Sequence, residues 1–289
     1  MTDGEFNVVK RCRDGLMAFN RNDMYIGRSL QLYGEYSAGE RKVFTDLIKP
    51  GMTVLDVGAN IGVFTLPMAR AVGPHGVVIA FEPQRISFQT LCANVALNSL
   101  INVDCRCNAV GRRPGTVTVP MLDPNATQNF GGLSLEGREQ GLPVDVITID
   151  GLKLGQCHFM KIDVEGMEED VIRGGDRTIR SHRPLMYVEN DRAAKSDALV
   201  RAIDRLGYRM FWHRAIMFNP DNFAGNRENV FGPLVSLNML CVPAERNPNV
   251  NLSAVEVPAA AVATKKARKK SKKKAGKRSK RAKRARKSK

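Results

Sequence analysis

The chain's 289 residues, 43% of them hydrophobic, suffice for one sizeable domain with a buried core. Its formal net charge of +16 belongs to one end: 17 of the 45 Lys and Arg residues lie from Lys265 to Lys289 with no Asp or Glu among them, leaving 28 basic against 29 acidic residues elsewhere. Six scattered cysteines exclude a disulfide framework or zinc module, and no apolar run approaches the roughly 18–20 residues that span a bilayer.

Residues 1–35 show no clean period and are expected to form an N-terminal extension. They begin without a basic region followed by an apolar core, so the reading is a cytoplasmic protein with reduced thiols and no secretory signal. From Glu35 to Ile48 a helical pattern puts Val43, Phe44, Leu47 and Ile48 on one face, and Lys49-Pro50-Gly51 ends it. Thr53 to Val57 is a β-rich run, followed by glycines at 58 and 62 and a helix reaching Val72. Val77–Phe81 predicts a second strand, and Phe88, Leu91, Cys92 and Val95 mark the core face of the next helix. Val103–Asn108 reads as a third strand and the alternating Gly115–Pro120 as a hairpin arm. Asp123–Leu142, rich in Asn, Gly, Gln and Glu, reads as a long loop of the kind that serves as a lid.

Phe159–Val164 is the fourth strand, breaking at Glu165-Gly166 into a helix that ends near Gly174. Pro184–Glu189 is the fifth, and the helix after it turns Leu199, Ile203 and Leu206 inward. Met210–Met217 and Leu237–Val242 look like a closing antiparallel pair. Strands alternating with helices, then a hairpin, predict a doubly wound, mostly parallel α/β sheet over residues 36–243. Residues 244–264 read as a linker, and residues 265–289, with nothing to bury, as a disordered basic tail.

In such a sheet, ligands sit beyond the carboxyl ends of the strands. Those ends carry Asp56, Glu82, Asn108, Asp163 with Glu165, and Glu189 with Asn190. The turn at Gly58 and Gly62 lets backbone approach a ligand closely, and Glu82 at the end of the next strand suits ribose hydroxyls. The spacing Asp56-x-Gly58-x-Asn60-x-Gly62 departs from the G-x-G-x-x-G of dinucleotide sites. An anion at the mouth, expected from Asp56, would repel a pyrophosphate but suit an ammonium and a sulfonium, which points to S-adenosylmethionine over NAD. The plainer alternative is a βα turn whose glycines serve packing alone.

Asn108 offers an amide to an adenine edge, or caps a turn. Asp163 and Glu165 share a strand side with Lys161, and with Glu189 they are the candidate catalytic carboxylates. One of them would take a proton from a substrate hydroxyl, orient the substrate, or cap the following helix. Glu168 and Glu169 read as surface residues of a first helical turn, the four histidines as structural, and no metal is expected.

Val54 to Gly62, Phe81-Glu82-Pro83, Lys161-Ile-Asp-Val-Glu-Gly-Met-Glu168 with Gly174, and Arg183-Pro184 leading to Val188-Glu189 resemble the FkbM family of S-adenosylmethionine-dependent methyltransferases. Gly34-Glu-Tyr36 with Glu40 and Phe218–Asn222 extend the resemblance over roughly residues 25–243. It implies a seven-stranded sheet of the class I methyltransferase type, with Asp56, Gly58, Asn60, Gly62 and Glu82 at cofactor positions. It also implies methyl transfer to hydroxyls of sugars or natural products. The tail lies outside it. Seventeen cations would bind nucleic acid through counterion release, or an anionic inner membrane surface, so a nucleic-acid methyltransferase or binding protein is the rival reading. The N-P-P-[YF] signature of base methylation is absent. Acceptor determinants are expected in the 123–142 loop and in 219–232.

Overall fold

A computed structural model of the chain describes residues 2–3, 5–132, 140–246 and 251–258. The expectations for the middle of the 123–142 loop, for the end of the linker and for the basic tail fall on residues 133–139, 247–250 and 259–289, outside the described residues. Residues 1–257 form one compact unit.

The stretch without a clean period in sequence is built, not trailing. It forms an antiparallel meander of β1 (Thr2–Asp3), β2 (Asn7–Cys12) and β3 (Gly15–Asn20), then α1 (Ile26–Tyr33) and α2 (Ala38–Leu47). The alternating units follow: β4 (Thr53–Val57), α3 (Thr65–Val72), β5 (Val77–Phe81), α4 (Arg85–Leu97) and β6 (Val103–Arg106). A side sheet of β7 (Ala109–Val110), β8 (Gly115–Val119) and β9 (Leu142–Ile147) contains the expected hairpin arm. Then come β10 (Phe159–Ile162), α5 (Glu168–Gly174), α6 (Asp176–His182), β11 (Leu185–Glu189), α7 (Ala193–Asp204), β12 (Tyr208–Ile216) and β13 (Val235–Pro243).

The main sheet has the order β12-β13-β11-β10-β4-β5-β6. Its central and β6-side strands are parallel, and β13 runs antiparallel between β11 and β12. This is the doubly wound, mostly parallel seven-stranded sheet expected from the sequence, with its closing antiparallel hairpin. Side chains of successive strand residues leave opposite faces. Leu55, Val57, Met160, Ile162, Met186 and Val188 therefore meet α5, α6 and α7 through Val171, Ile179 and Ile203. Val54, Phe159 and Tyr187 meet Phe44 of α2 and Met68 of α3 on the other face. Burial on both sides explains why these strands read as continuous apolar runs.

Two differences from the expected elements have clear causes. The helix after β10 ends at Gly174 as expected, but a second helix, α6, follows it directly after Gly175 where no separate helix was expected. Part of the expected linker covers an edge: Trp212 N–H donates to Ser253 O and Val255 N–H to Met210 O, both at 2.8 Å, giving β12 backbone partners on its open side.

The N-terminal meander docks through amides that imitate a strand. Asn94 of α4, wholly buried, accepts the Ala18 N–H at 2.6 Å and donates to Ala18 O and Ile61 O. One turn on, Asn98 accepts the Leu16 N–H and donates to Leu16 O. Val8, Met17 and Phe19 pack against Leu91 and Val95 beneath them. Asn94→Ala strands three buried backbone groups, and denaturant unfolding of the full chain is expected to show a loss of about 2–4 kcal/mol. A loss below about 1 kcal/mol would mean the meander is held by its apolar contacts alone.

Candidate functional site

The turn after β4 is where two strand ends touch. Gly58 has φ +82°, and a Cβ there would lie 1.7 Å from the Asp163 carbonyl oxygen, so only glycine fits. Gly58 and Ala59 donate their N–H groups to Phe81 O at 3.0 and 2.9 Å, tying the turn to β5. Asn60 takes φ +49° and its Oδ1 receives the Ile61 N–H, the local bond that lets asparagine occupy the left-handed region. Gly62, at φ +89°, lies against Leu91 and lines neither cavity described below; its role is packing.

Glu82 stands at the end of β5, only 7% exposed. Its Oε2 accepts the Asn60 N–H and its Oε1 the Gln84 N–H, each at 2.8 Å. Burial pushes its carboxyl up to about 7 against the pull of those two backbone donors. Asn108 lies beyond β6 on the same cavity wall, its Nδ2 donating to Asp145 O at 3.3 Å.

Asp56 is not at the mouth. It is completely buried, its Oδ2 accepts the Thr65 hydroxyl at 2.6 Å, and it reaches neither cavity. The residue sits within β4 on the same face as Val54, so its side chain turns under α3 instead of out of the strand end. Beside it on β10, Lys161 is equally buried, with Nζ 2.7 Å from Gly58 O, 3.1 Å from Asp163 Oδ2 and 3.5 Å from Asp56 Oδ1. Burial works to lower the Lys161 ammonium's pKa, but Asp163 and Asp56 outweigh it and hold the group charged.

The candidate catalytic carboxylates do converge: Asp163, Glu165 and Glu189 each bring an oxygen within 4.8 Å of the others. That spacing would admit a cation, though Asp163 already faces Lys161 and Glu165 is paired with Arg192. Glu165 has φ +56° at the break from β10 toward α5. Burial and the Asp163 charge raise its carboxyl to about 7, with Arg192 opposing. Glu189 differs. Burial, then Asp163 and Glu165, push it up to about 11, and its buried Oε2 has no partner. These surroundings favour its protonated form, so of the three candidate carboxylates it is the one best suited to donate a hydrogen bond. Glu168 is a further correction: it is 4% exposed, and its Oε1 accepts the N–H groups of Val164 and Gly166, shaping the turn that carries Glu165. Glu169 pairs with Arg173 as a half-exposed residue of that helix.

These residues border two cavities that share Gly58, Asn60, Glu82, Gly131, Asp163 and Glu165. The first, of about 590 Å³, is a mostly apolar slot between Val57, Phe81, Val110, Phe130 and Met167, with Gln84 and Asn108 at its polar edge. The second, of about 1360 Å³, is wide and polar. Tyr25, Tyr36 and Leu234–Leu237 help to wall it, and Glu40, Glu189 and Asp191 add carboxylates. Glu40 comes from α2, accepts the Ser37 hydroxyl at 3.0 Å, and is raised to about 7 by burial and by Asp163.

Lys161, Glu40 and Gln84 are the residues that sequence reasoning left outside the site. Lys161 was legible as a lysine inside an apolar strand, and Gln84 as the next polar residue after Glu82. Glu40 was legible only as part of the family-like segment with Gly34-Glu-Tyr36, not as a site residue. Tyr25, from the supposed extension, enters through the pairing of residues 22–24 with Gln128, which draws α1 over the cavity.

Comparisons with known proteins fit this geometry. The model of the family described as Methyltransferase FkbM domain matches residues 56–210, more than half of the chain. Methyltransferase 1 of Beauveria bassiana is 30% identical over 145 residues, covering 43% of this chain and 58% of that protein. Methyltransferase sdnD of Sordaria araneosa is 28% identical over 156 residues, covering 43% and 60%. The chain thus spans under two thirds of the length of these curated relatives. A crystal structure of methyltransferase FkbM from Methylobacillus flagellatus is similar at 19% identity and a TM-score of 0.42, covering 69% of this chain and 50% of that one. With the family model matched across the glycine turn and the Lys161–Glu168 segment, the chain belongs to the FkbM methyltransferase domain family.

Proposed function

We propose that the chain is an S-adenosylmethionine-dependent methyltransferase acting on a hydroxyl of a sugar or small natural product. The observation that carries this reading is Glu82, fixed through both oxygens by turn backbone at the junction of the two cavities. There it can receive a ribose diol while Val57, Phe81, Val110 and Phe130 enclose a purine and Asn108 faces its edge. The Gly58 backbone lines both cavities, where the ligand's tail would pass from one to the other. Bound in this slot, S-adenosylmethionine supplies an electrophilic methyl on a sulfonium.

The residues of the second cavity handle the acceptor. Glu165 is poised near neutrality, where a general base is most effective, and would take the acceptor hydroxyl's proton; the bound cofactor would supply the methyl, its C–S bond breaking as the O–C bond forms and the thioether leaving. Glu189, carrying its proton, donates a hydrogen bond to the acceptor, and Asp163 is held in place by Lys161. Among the described residues this cavity is lined by Glu40, Glu82, Asp163, Glu165, Glu189 and Asp191 against Lys161 and Arg192. Even with Glu189 protonated and Glu40, Glu82 and Glu165 only partly ionised near pH 7, acids outweigh Lys161 and Arg192, which disfavours phosphates and favours a sugar or natural-product acceptor over a nucleic acid. Residues 36–243 carry the chemistry in this reading, with Tyr25 and Ile26 joining from residues 1–35.

Calorimetric titration of the full chain should show micromolar S-adenosylmethionine binding and none for NAD, with Glu82→Gln weakening it at least tenfold. NAD binding with no S-adenosylmethionine binding would overturn the reading. Diol donors favour ionised Glu82, whose free pKa is near 7. Binding should therefore release a proton between about pH 5 and 7 and tighten as pH rises through that window, as heats in buffers of different ionisation enthalpy would reveal. In Glu82→Gln that release disappears.

Glu165→Gln should lower methyl transfer to a hydroxylated acceptor by about 10²–10⁴-fold with cofactor affinity unchanged within threefold. A panel of sugars and natural products with isotopically labelled methyl donor gives the readout. Unchanged transfer in the variant would move the base role to Asp163.

A further inference from the structure

The first cavity contains a buried donor that no partner among the described residues satisfies. Gln84 is 4% exposed and lines the slot next to Glu82. Its Oε1 accepts the Ser87 N–H at 2.9 Å, capping α4, and this bond fixes which way the amide faces. The opposite end, Nε2, is buried without a hydrogen-bond partner. A buried amide donor left unpaired is costly enough that native structures rarely keep one, so a partner is to be expected from whatever fills the slot.

The position is also rigid. Gln84's own N–H donates to Glu82 Oε1 at 2.8 Å, so the backbone that carries the amide is locked to the carboxylate proposed to hold the ribose. Asn60 and Asn108 are the slot's other side-chain amides, and next to Gln84 its apolar wall is made by Val57, Phe81, Ala109, Val110, Phe130 and Met167. A hydrogen bond made there is shielded from water, and it discriminates strongly against a ligand lacking the matching acceptor.

We propose that Gln84 reads the nucleoside half of the bound cofactor, its Nε2 donating to one acceptor atom, a purine ring nitrogen or a ribose oxygen, beside the hydroxyls held by Glu82. This rests on the cofactor assignment made above and adds a specificity-determining residue to it. The helix cap and the ligand contact are then two ends of one amide, so α4 is started by the same side chain that identifies the ligand.

The experiment pairs ligand and protein changes in the full chain. Calorimetry would measure the affinity of S-adenosylhomocysteine and of its 1-deaza, 3-deaza, 7-deaza, 2′-deoxy and 3′-deoxy analogues. The proteins are the wild type, Gln84→Glu and Gln84→Met. Gln84→Glu keeps an acceptor for Ser87 and removes the donor, so it guards against loss of folding in Gln84→Met. In the wild type one analogue is expected to bind about tenfold more weakly than its parent in excess of any loss seen in the variants. In either folded variant that penalty should vanish while the other analogues keep theirs. Penalties that are the same for every analogue in wild type and variants would overturn the proposal and leave a buried water as the amide's partner. If the wild type binds none of these compounds, the cofactor assignment itself fails and Gln84's role falls with it.

Discussion

The ammonium of Lys161 holds the structure's working end together. A charge with 3% of its side chain exposed is tolerable only with partners on every side, and Lys161 has Gly58 O, Asp163 and Asp56. Each partner belongs to a different part of the machinery. Asp56 stands opposite Lys161 in the β4–β10 register and anchors Thr65 at the start of α3. Gly58 is the turn under the first cavity, and Asp163 is a wall of both. The contact also sets the separation of the two strand ends, where the Gly58 backbone meets the Asp163 carbonyl with no room for a Cβ. The glycine turn and the Asp163 side of the cavities are tied together because they share a cation.

Around that cation the carboxyls are sorted by their surroundings. Glu82, Glu40 and Glu165 are each brought to about 7 by burial, tempered by backbone donors for Glu82, by hydroxyls for Glu40 and by Arg192 for Glu165. Glu189 has burial and its acidic neighbours with no cation of its own, and it keeps its proton. Carboxyls a few ångströms apart thus divide into an ionisable group and a neutral donor, the arrangement that lets one site take and hold protons at a single pH. The same crowding of acids gives the cavity a character opposite to that of residues 265–289. Whatever a polycationic segment attracts, the acidic cavity is built for something else.

The sheet was legible in sequence because burial on two faces leaves an unmistakable apolar run, as at Val54–Leu55 or Val77–Phe81, and because Gly58 and Gly62 are needed at positive φ. Glu82 was legible for a related reason: a carboxylate that ends such a run has nowhere to go but the crevice. Asp56 misled because a strand's last residues differ only in which face they take, and a residue counted along the chain does not show its face until α3 covers it. The N-terminal meander was illegible because half of β3's ladder is made by Asn94 and Asn98, side chains of a helix 76 to 82 residues away in sequence. Hydrogen bonds of that kind demand no β pattern from the strand they complete. Glu40 and Tyr25 reached the cavity through tertiary packing, which leaves no mark at their own positions.

In the segment from β10 to α5, strain and a borrowed charge set the carboxyl of Glu165, the proposed base. Glu165 occupies the left-handed region at φ +56°, a conformation a residue with a Cβ enters only when its surroundings hold it there. Glu168 does the holding, catching the N–H groups of Val164 and Gly166 on one oxygen. Lys195 adds a bond to Gly166 O at 2.8 Å. The turn aims Glu165 at the same space as Asp163, whose charge raises its carboxyl, while Arg192, just before α7, pulls the other way. Proton affinity at this site is therefore set between two elements, β10 with its own acids and the start of α7. A small displacement of Arg192 would change the basicity of Glu165 without touching the residue itself. Position and proton affinity are controlled separately: the buried Glu168 fixes where the carboxylate points, and the partly exposed Arg192 fixes how readily it takes a proton.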